Sequence, residues 1–344
     1  MAKFLVIRLS ALGDVAILVP LLKNLAEQYP EHHFTMISQP FAARLFEGCP
    51  SNITFKSVET KGRHKGQLGL IRLFRDIEGK RFDVVCDMHD TIRSRFLGML
   101  FAFYRIPVTR INKERSERNK LTRKDNKIFK QLKSTFERYR EVFSRAGLSL
   151  IYFDAYPKMG PSPEALKEFE PIYGPKTCRW IGIAPFAKHQ GKIYPLEKME
   201  EVVARFACDA NYKVFLFGGG NHELVKMKSW QEKYPTLQIP NRIGLSNEIK
   251  LMSCLDVMLT MDSANMHLAS LAYTPVVSIW GATHPYAGFF GLYQDERNMI
   301  HVELSCRPCS VFGDKPCFRK DYACLNRISP QVVIDRIEQF TSLG

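Results

Sequence analysis

The chain is predicted to be an α/β protein built from two similar halves, and three observations carry that reading. Short apolar runs of strand length alternate with patterns of helical period, which implies parallel sheets covered by helices. The rhythm breaks at Pro157, Gly160, Pro161, Pro163, Pro171, Gly174 and Pro175, then restarts, so that stretch reads as a linker or domain boundary. A length of 344 residues suits two domains better than one. In the first half, residues 4–8, 34–37 and 82–86 read as strands, and Ile17, Leu18, Leu21, Leu22 and Leu25 recur at helical spacing. In the second half, residues 180–184, 212–217, 255–261 and 276–280 read as strands. Two halves built like nucleotide-binding domains would leave a cleft between them, with ligands at the carboxyl ends of the strands.

Composition narrows the class. Hydrophobic residues at 45% and charged ones at 24% are ordinary for a globular protein. No apolar run approaches the ~18 residues of a membrane helix. The first 22 residues have the look of a signal peptide, yet Arg8, Ser10, Gly13 and Asp14 interrupt them. A strand, a turn and a helix fit better, so a cytoplasmic protein is expected. The net charge of +14 favours anionic partners: nucleic acid, an anionic membrane face or phosphorylated substrates. No zinc-finger helix, helix-turn-helix or nucleic-acid-binding aromatic signature is present, so nucleic acid is not an expected partner. Residues 110–140 hold twelve Lys or Arg against four acids. Such a run is either a solvated helix face or a patch facing a polyanionic acceptor or membrane surface.

Residues 261–285, MDSANMHLASLAYTPVVSIWGATHP, carry the most chemistry. They read as a strand end, a turn, a short helix, a buried strand and a loop. Asp262 and Ser263 stand where a helix N-cap would stand, and the helix start offers N–H groups and a positive dipole end to an anion such as a diphosphate. His267 would lie near that anion. The bland alternative is an ordinary capped helix. At the first strand's end, Arg8-Leu9-Ser10-Ala11-Leu12-Gly13-Asp14 lacks G-x-G-x-x-G, which argues against a nicotinamide oxidoreductase. Asp14 there is either a helix-capping residue or a general base reaching into the cleft. The loop from Ala184 to Pro195 carries Lys188 and Lys192, able to neutralise a phosphate. Phe217-Gly218-Gly219-Gly220-Asn221-His222-Glu223 permits close backbone approach, with Glu223 placed for ribose hydroxyls. No D-x-D is present, Asp87 and Asp90 being three apart, so a metal clamp on the diphosphate is not suggested. Lysine, a helix terminus and backbone N–H groups would offset the leaving group's charge.

Together these segments resemble glycosyltransferase family 9, the ADP-heptose:lipopolysaccharide heptosyltransferases. RLSALGDV resembles the family's R-x-S-x-L-G-D-V, and CDMHDTIRS its D-L-x-x-x-x-R-S segment. FGGGNHE and residues 261–285 resemble the nucleotide-sugar half, including D-S/T-G-x-x-H-L-A and the G-x-T-x-P loop. The family usually has Gly where this chain has Ala264, and Trp where it has Tyr194. The resemblance implies a GT-B fold, two Rossmann-like domains facing across a cleft. It implies residues 1–160 as the acceptor domain, 176–330 as the nucleotide-sugar domain, and 331–344 as a helix returning to the N-terminal domain. It implies inverting, metal-independent transfer of heptose from ADP-heptose to a lipopolysaccharide inner-core acceptor, with no cofactor required for catalysis. Asp14 becomes the base and Lys192 steadies the diphosphate. Ala187, Lys188, Glu223, Asp262, Ser263, Ala264 and His267 bind the donor. Lys61, Arg63, Lys65 and Arg93 face the acceptor, a lipid-linked anionic oligosaccharide. Such an enzyme would be cytoplasmic and peripheral on the inner face of the membrane.

Five cysteines stand alone, while Cys306, Cys309, Cys317 and Cys324 cluster. One ligand-like C-x2-C pair and two irregular spacings leave a structural zinc open, beside free thiols or a disulfide. Two other functional classes stay open at this level: a nucleotide-sugar epimerase, and a non-catalytic module docking on an anionic membrane through residues 110–140. A transferase using another nucleotide sugar is the nearest variant of the main reading.

Overall fold

A computed structural model describes residues 1–150, 160–240 and 243–341. The chain divides into two compact units. The N-terminal unit comprises Met1–Glu114 and Lys133–Ala155, and the C-terminal unit Arg115–Leu132 and Tyr156–Gly344.

The N-terminal unit opens with β1 (Lys3–Ile7), α1 (Leu12–Gln28), β2 (His33–Ser38), β3 (Ile53–Ser57) and α2 (Gly66–Asp76). It continues with β4 (Val84–Asp87), α3 (Ile92–Phe103) and β5 (Val108–Arg110). Helix α4 (Arg115–Thr122) belongs to the other unit, and α5 (Thr135–Arg145) returns to this one. The five strands are parallel in the order β3-β2-β1-β4-β5, with Phe4 opposite both Phe34 and Val84. The central strand FLVI is buried throughout, as expected for a parallel strand covered on both faces. Its core includes Leu5, Ile7, Val85 and Leu97, with Phe74 and Phe101 meeting edge-on at 4.9 Å. Helix α5 starts from a capping box: Glu137 N–H donates to Ser134 Oγ at 3.1 Å, and Ser134 N–H to Glu137 Oε2 at 2.9 Å.

In the C-terminal unit, α6 (Pro163–Tyr173) leads to β6 (Arg179–Ala184), α7 (Leu196–Ala207), β7 (Tyr212–Leu216) and α8 (Asn221–Lys233). Then come α9 (Leu245–Met252), β8 (Val257–Met261), α10 (Ala264–Leu271), β9 (Val276–Ile279) and β10 (Met299–Ile300). Two helices close the chain, α11 (Ala323–Asn326) and α12 (Pro330–Thr341). The sheet is again parallel, in the order β10-β9-β8-β6-β7.

Four differences from expectation have physical causes. Strands β3, β5 and β10 were not anticipated: β3 is a half-buried edge, and the other two are three and two residues long, too short to show a period. The Pro-rich stretch is largely helix α6. Pro163 occupies its first turn, where no N–H is needed, and Ser162 Oγ caps it by accepting from Ala165 N–H at 3.3 Å. Pro157 lies outside the described residues. Helix α12, expected to return to the N-terminal domain, groups with the C-terminal unit. Val333 and Ile337 are fully buried in the C-terminal core, and the helix packs on α7 and β8. The basic run at residues 110–140 is likewise not a uniformly solvated face. Arg138 is buried against Glu114 at 2.8 Å, and Arg118 is buried with its guanidinium 4.7 Å from the Phe289 ring centre.

Candidate active-site residues

Each sheet has a switch point, where successive crossovers leave the central strand in opposite directions and open a crevice beyond the strand ends. In the N-terminal unit it lies between β1 and β4, and in the C-terminal unit between β6 and β8. The loops following those four strands hold most of the residues singled out from sequence.

At the N-terminal switch point, Asp14 sits in the first turn of α1, where it accepts from Ala11 N–H at 3.3 Å. That geometry meets the capping expectation, yet the carboxylate also pairs with Arg8 at the end of β1. Burial works against the Arg8 charge, but the Asp14 carboxylate and Tyr139 outweigh it and hold its pKa above the ordinary value. Arg8 further donates to Met88 O at 2.7 Å, tying the β1 loop to the β4 loop. The same two loops meet at Ser10 Oγ and His89 Nε2, 3.3 Å apart. His89 is buried, and burial followed by the nearby Arg8 and Lys113 cations pushes its pKa down to about 3, so it is neutral at any physiological pH. Its Nδ1 is buried without a hydrogen-bond partner. Sequence reasoning missed Ser10 and His89. The signal was available: in a sheet ordered about β1, the residues after the first strand and after CD at 86–87 must be neighbours.

Asp87 is engaged within its own turn. Fully buried, it accepts from the N–H groups of His89 and Asp90 at 2.9 Å each and pairs with Arg110 at 3.0 Å. It therefore shapes the turn that carries His89. Of the acceptor-facing candidates, Lys61 and Lys65 are exposed on the turn after β3, and Arg93 is exposed in the first turn of α3. Arg63 is exposed as well, and it grips Asp76 through two parallel bonds of 2.8 and 3.0 Å, fastening that turn to α2.

At the C-terminal switch point, Lys192 from the β6 loop pairs with Asp262 from the β8 end at 2.8 Å. Asp262 is buried and Lys192 mostly so. The Lys192 stem is pressed by Gly313, where a Cβ would lie 2.6 Å from Lys192 Cγ, and Gly313 adopts a φ of +75°. Ser263 is the N-cap residue of α10 by backbone geometry, but its hydroxyl does not cap the helix and is buried with no partner. Ala264 opens the helix, and His267 is buried one turn along. Ala187 is half-buried and Lys188 exposed on the β6 loop. Glu223 Oε2 accepts from Gly219 and Gly220 N–H at 2.7 and 3.2 Å, so this carboxylate holds the glycine turn as well as standing at its mouth. Tyr194 is a core residue whose hydroxyl donates to Ile328 O at 3.0 Å.

Arg307 was not anticipated. Buried, it donates to the carbonyls of Trp280, Gly281, Thr283 and Val302 at 2.6–3.1 Å, pinning the 281–283 loop. That loop in turn receives Lys192's neighbour: Ala282 N–H donates to Gly191 O at 2.8 Å. The four clustered cysteines stand around Arg307 and line one small cavity, all as free thiols. Burial pushes Cys324 up to about 11 and raises Cys309 as well. Lys127 Nζ donates to Cys306 O and Pro308 O at 2.8 and 2.7 Å. Among the described residues, no group of three or more His, Cys, Asp or Glu is arranged to hold a metal ion. The cysteines are thus brought together around one small cavity.

Two parallel α/β units with these switch-point loops have the architecture of GT-B glycosyltransferases, and solved structures share it along the chain. A glycosyltransferase family 9 structure from Veillonella parvula DSM 2008 has a TM-score of 0.75 at 20% identity, covering 100% of this chain and 98% of that one. E. coli heptosyltransferase WaaC with ADP has a TM-score of 0.67 at 17% identity, covering 98% and 99%. The family model described as glycosyltransferase family 9 (heptosyltransferase) matches residues 70–317. The chain belongs to that family. Lipopolysaccharide heptosyltransferase 1 of Pseudomonas aeruginosa is 22% identical over 360 residues, covering 98% of this chain and 97% of the relative. Lipopolysaccharide core heptosyltransferase OpsX of Haemophilus influenzae is 25% identical over 294 residues, covering 81% and 79%.

Proposed function

We propose that the protein transfers heptose from ADP-heptose to a lipid-linked, anionic lipopolysaccharide core acceptor, with inversion at the anomeric carbon. The observation that carries this reading is the C-terminal switch point. The Lys192–Asp262 pair and the start of α10, with the unpartnered Ser263 hydroxyl, form a place where a diphosphate gains both charge and hydrogen bonds. The structure of E. coli WaaC with ADP-2-deoxy-2-fluoro heptose, at TM-score 0.65 and 16% identity, supports the donor class by likeness of fold.

Asp14 takes the proton from the acceptor hydroxyl. The acceptor oxygen forms a bond to the anomeric carbon as the bond from that carbon to the diphosphate oxygen breaks, its electron pair leaving with ADP. Lys192, the N–H groups at the start of α10 and Ser263 offset the charge on the departing diphosphate. Arg8 holds the Asp14 carboxylate in place, and neutral His89 with Ser10 offers hydrogen bonds to acceptor hydroxyls. Glu223 receives ribose hydroxyls, and Lys188 and His267 complete the donor side. Lys61, Lys65 and Arg93 meet acceptor phosphates. No step uses a metal ion. The enzyme works in the cytoplasm, on the inner face of the membrane.

A thermal-shift panel of ADP-, UDP- and GDP-sugars tests the donor, since a ligand that binds only the folded chain raises its melting temperature. ADP-heptose should stand out. A larger shift from a UDP- or GDP-sugar would replace the donor, and donor conversion without acceptor would mark an epimerase.

A further inference from the structure

Helix α3 breaks the pattern of a surface helix. One face is buried through Ser94, Leu97, Gly98 and Phe101, as packing against β4 and α2 requires. The opposite face should be polar. Instead Ile92, Met99 and Phe103 are exposed to 89%, 68% and 80%. Spaced by seven and four residues, the three lie within about 40° of arc and form one stripe along the helix. Leu68 on neighbouring α2 is 80% exposed. Single exposed apolar residues are ordinary, but an aligned series on a helix that is apolar on both faces marks an interaction surface.

The rim of the stripe is basic. On one side a groove runs past Met99 and Ala102 to Arg105, with Arg110 at its far end held by Asp87. On the other, a groove beside Leu100 and Tyr104 is edged by Arg75, Lys80 and Arg81, with Lys80 Nζ 4.6 Å from the Tyr104 ring centre. Its one acid, Glu78, is neutralised by Arg81 at 2.6 Å. We infer that the α3 stripe with its basic rims docks on an anionic lipid surface, the aromatic and aliphatic side chains entering the headgroup boundary and the cations meeting lipid phosphates. A second copy of the chain fits less well, because a two-fold contact would set each basic rim against its own like. This inference rests on the lipid-linked acceptor of the proposed function, and the stripe lies on the unit that carries Asp14.

Vesicle flotation tests it, using phosphatidylcholine alone and phosphatidylcholine with about 30% phosphatidylglycerol. The wild-type chain should float with the anionic vesicles, and M99E/F103E should bind them at least about tenfold more weakly. K80Q/R81Q keeps the apolar stripe and should bind more weakly with a shallower salt dependence. M99E/F103E should keep its melting temperature and its turnover on a deacylated, water-soluble acceptor within about twofold. Unchanged binding by both variants would overturn the assignment of this surface while leaving membrane association intact. A wild-type chain that ignores anionic vesicles would overturn the surface and the peripheral localisation together; turnover on the soluble acceptor then reports separately on the transferase reading. A wild-type dimer that M99E/F103E dissociates, with no vesicle binding by either, would make the stripe a contact between copies and overturn the lipid assignment.

Discussion

The two switch points share a topology, and each presents a cation paired with a carboxylate, but they differ in where the partners come from and what stands beside them. In the N-terminal unit the central strand ends at Arg8, which pairs with Asp14 from the first turn of the helix that follows the same strand, near a neutral histidine from the β4 loop. In the C-terminal unit the central strand's loop brings a lysine onto a buried aspartate, and a helix start with an uncapped hydroxyl stands beside it. In the proposed function the first crevice takes the acceptor's proton and the second holds the donor's diphosphate. The same backbone plan supports both because function resides in the loops that the strands present.

Substitutions that remove one side of this contrast should separate proton transfer from donor binding. The largest effect is expected from Asp14→Asn, which should lower turnover by about 10²–10⁴-fold while donor affinity, followed by calorimetry, stays near normal. Near-normal turnover would remove Asp14 as the base. Lys192→Met should damage both turnover and stability, because it strands Asp262 as a buried unpaired charge at a cost of up to about 3–5 kcal/mol. Urea unfolding of K192M, D262N and the double variant checks this. The double variant should recover most of the stability but not the donor affinity.

Acid should also distinguish the units through two histidines. Burial holds His89 and His284 neutral, at about 3 against an ordinary 6.5. Between those values the unfolded chain binds protons that the folded chain refuses. Stability is therefore full above pH 6.5 and falls as pH drops toward 3, by at most about 1.4 kcal/mol per pH unit for each histidine. Melting curves across that range should flatten in H89Q and H284Q. A turnover profile should show no limb from His89 near its ordinary pKa. The smallest effect is expected from Ser263→Ala: with no cap to lose, stability should hold within about 0.5 kcal/mol, while donor affinity drops by about three- to tenfold. A stability loss above about 1 kcal/mol would mean that the hydroxyl caps α10 in solution.

Much of this was legible in the chain. The buried strands β1, β6, β8 and β9 announce themselves as unbroken apolar runs, because a parallel strand covered on both faces cannot carry polar residues. Asp14, Lys192, Asp262 and Ser263 could be singled out because strand-end loops in such sheets are where ligands bind, and the structure places all four at the two switch points. The Arg63–Asp76 pairing was not legible, since a basic loop residue looks the same whether or not it grips a carboxylate on the next helix. Arg307 gave no local signal at all: its partners are carbonyls between 5 and 27 residues away in sequence.

Periodicity and strand-end residue types are local properties, so the sequence by itself determined the α/β class, the two-unit plan and the residue types at each crevice. Only the tertiary structure decided the pairings: Arg8 with Asp14, Ser10 with His89, Lys192 with Asp262, and residues 115–132 and α12 with the C-terminal unit. Pairing across long loops depends on which surfaces bury each other, and that is settled by the assembled core rather than by any window of the chain.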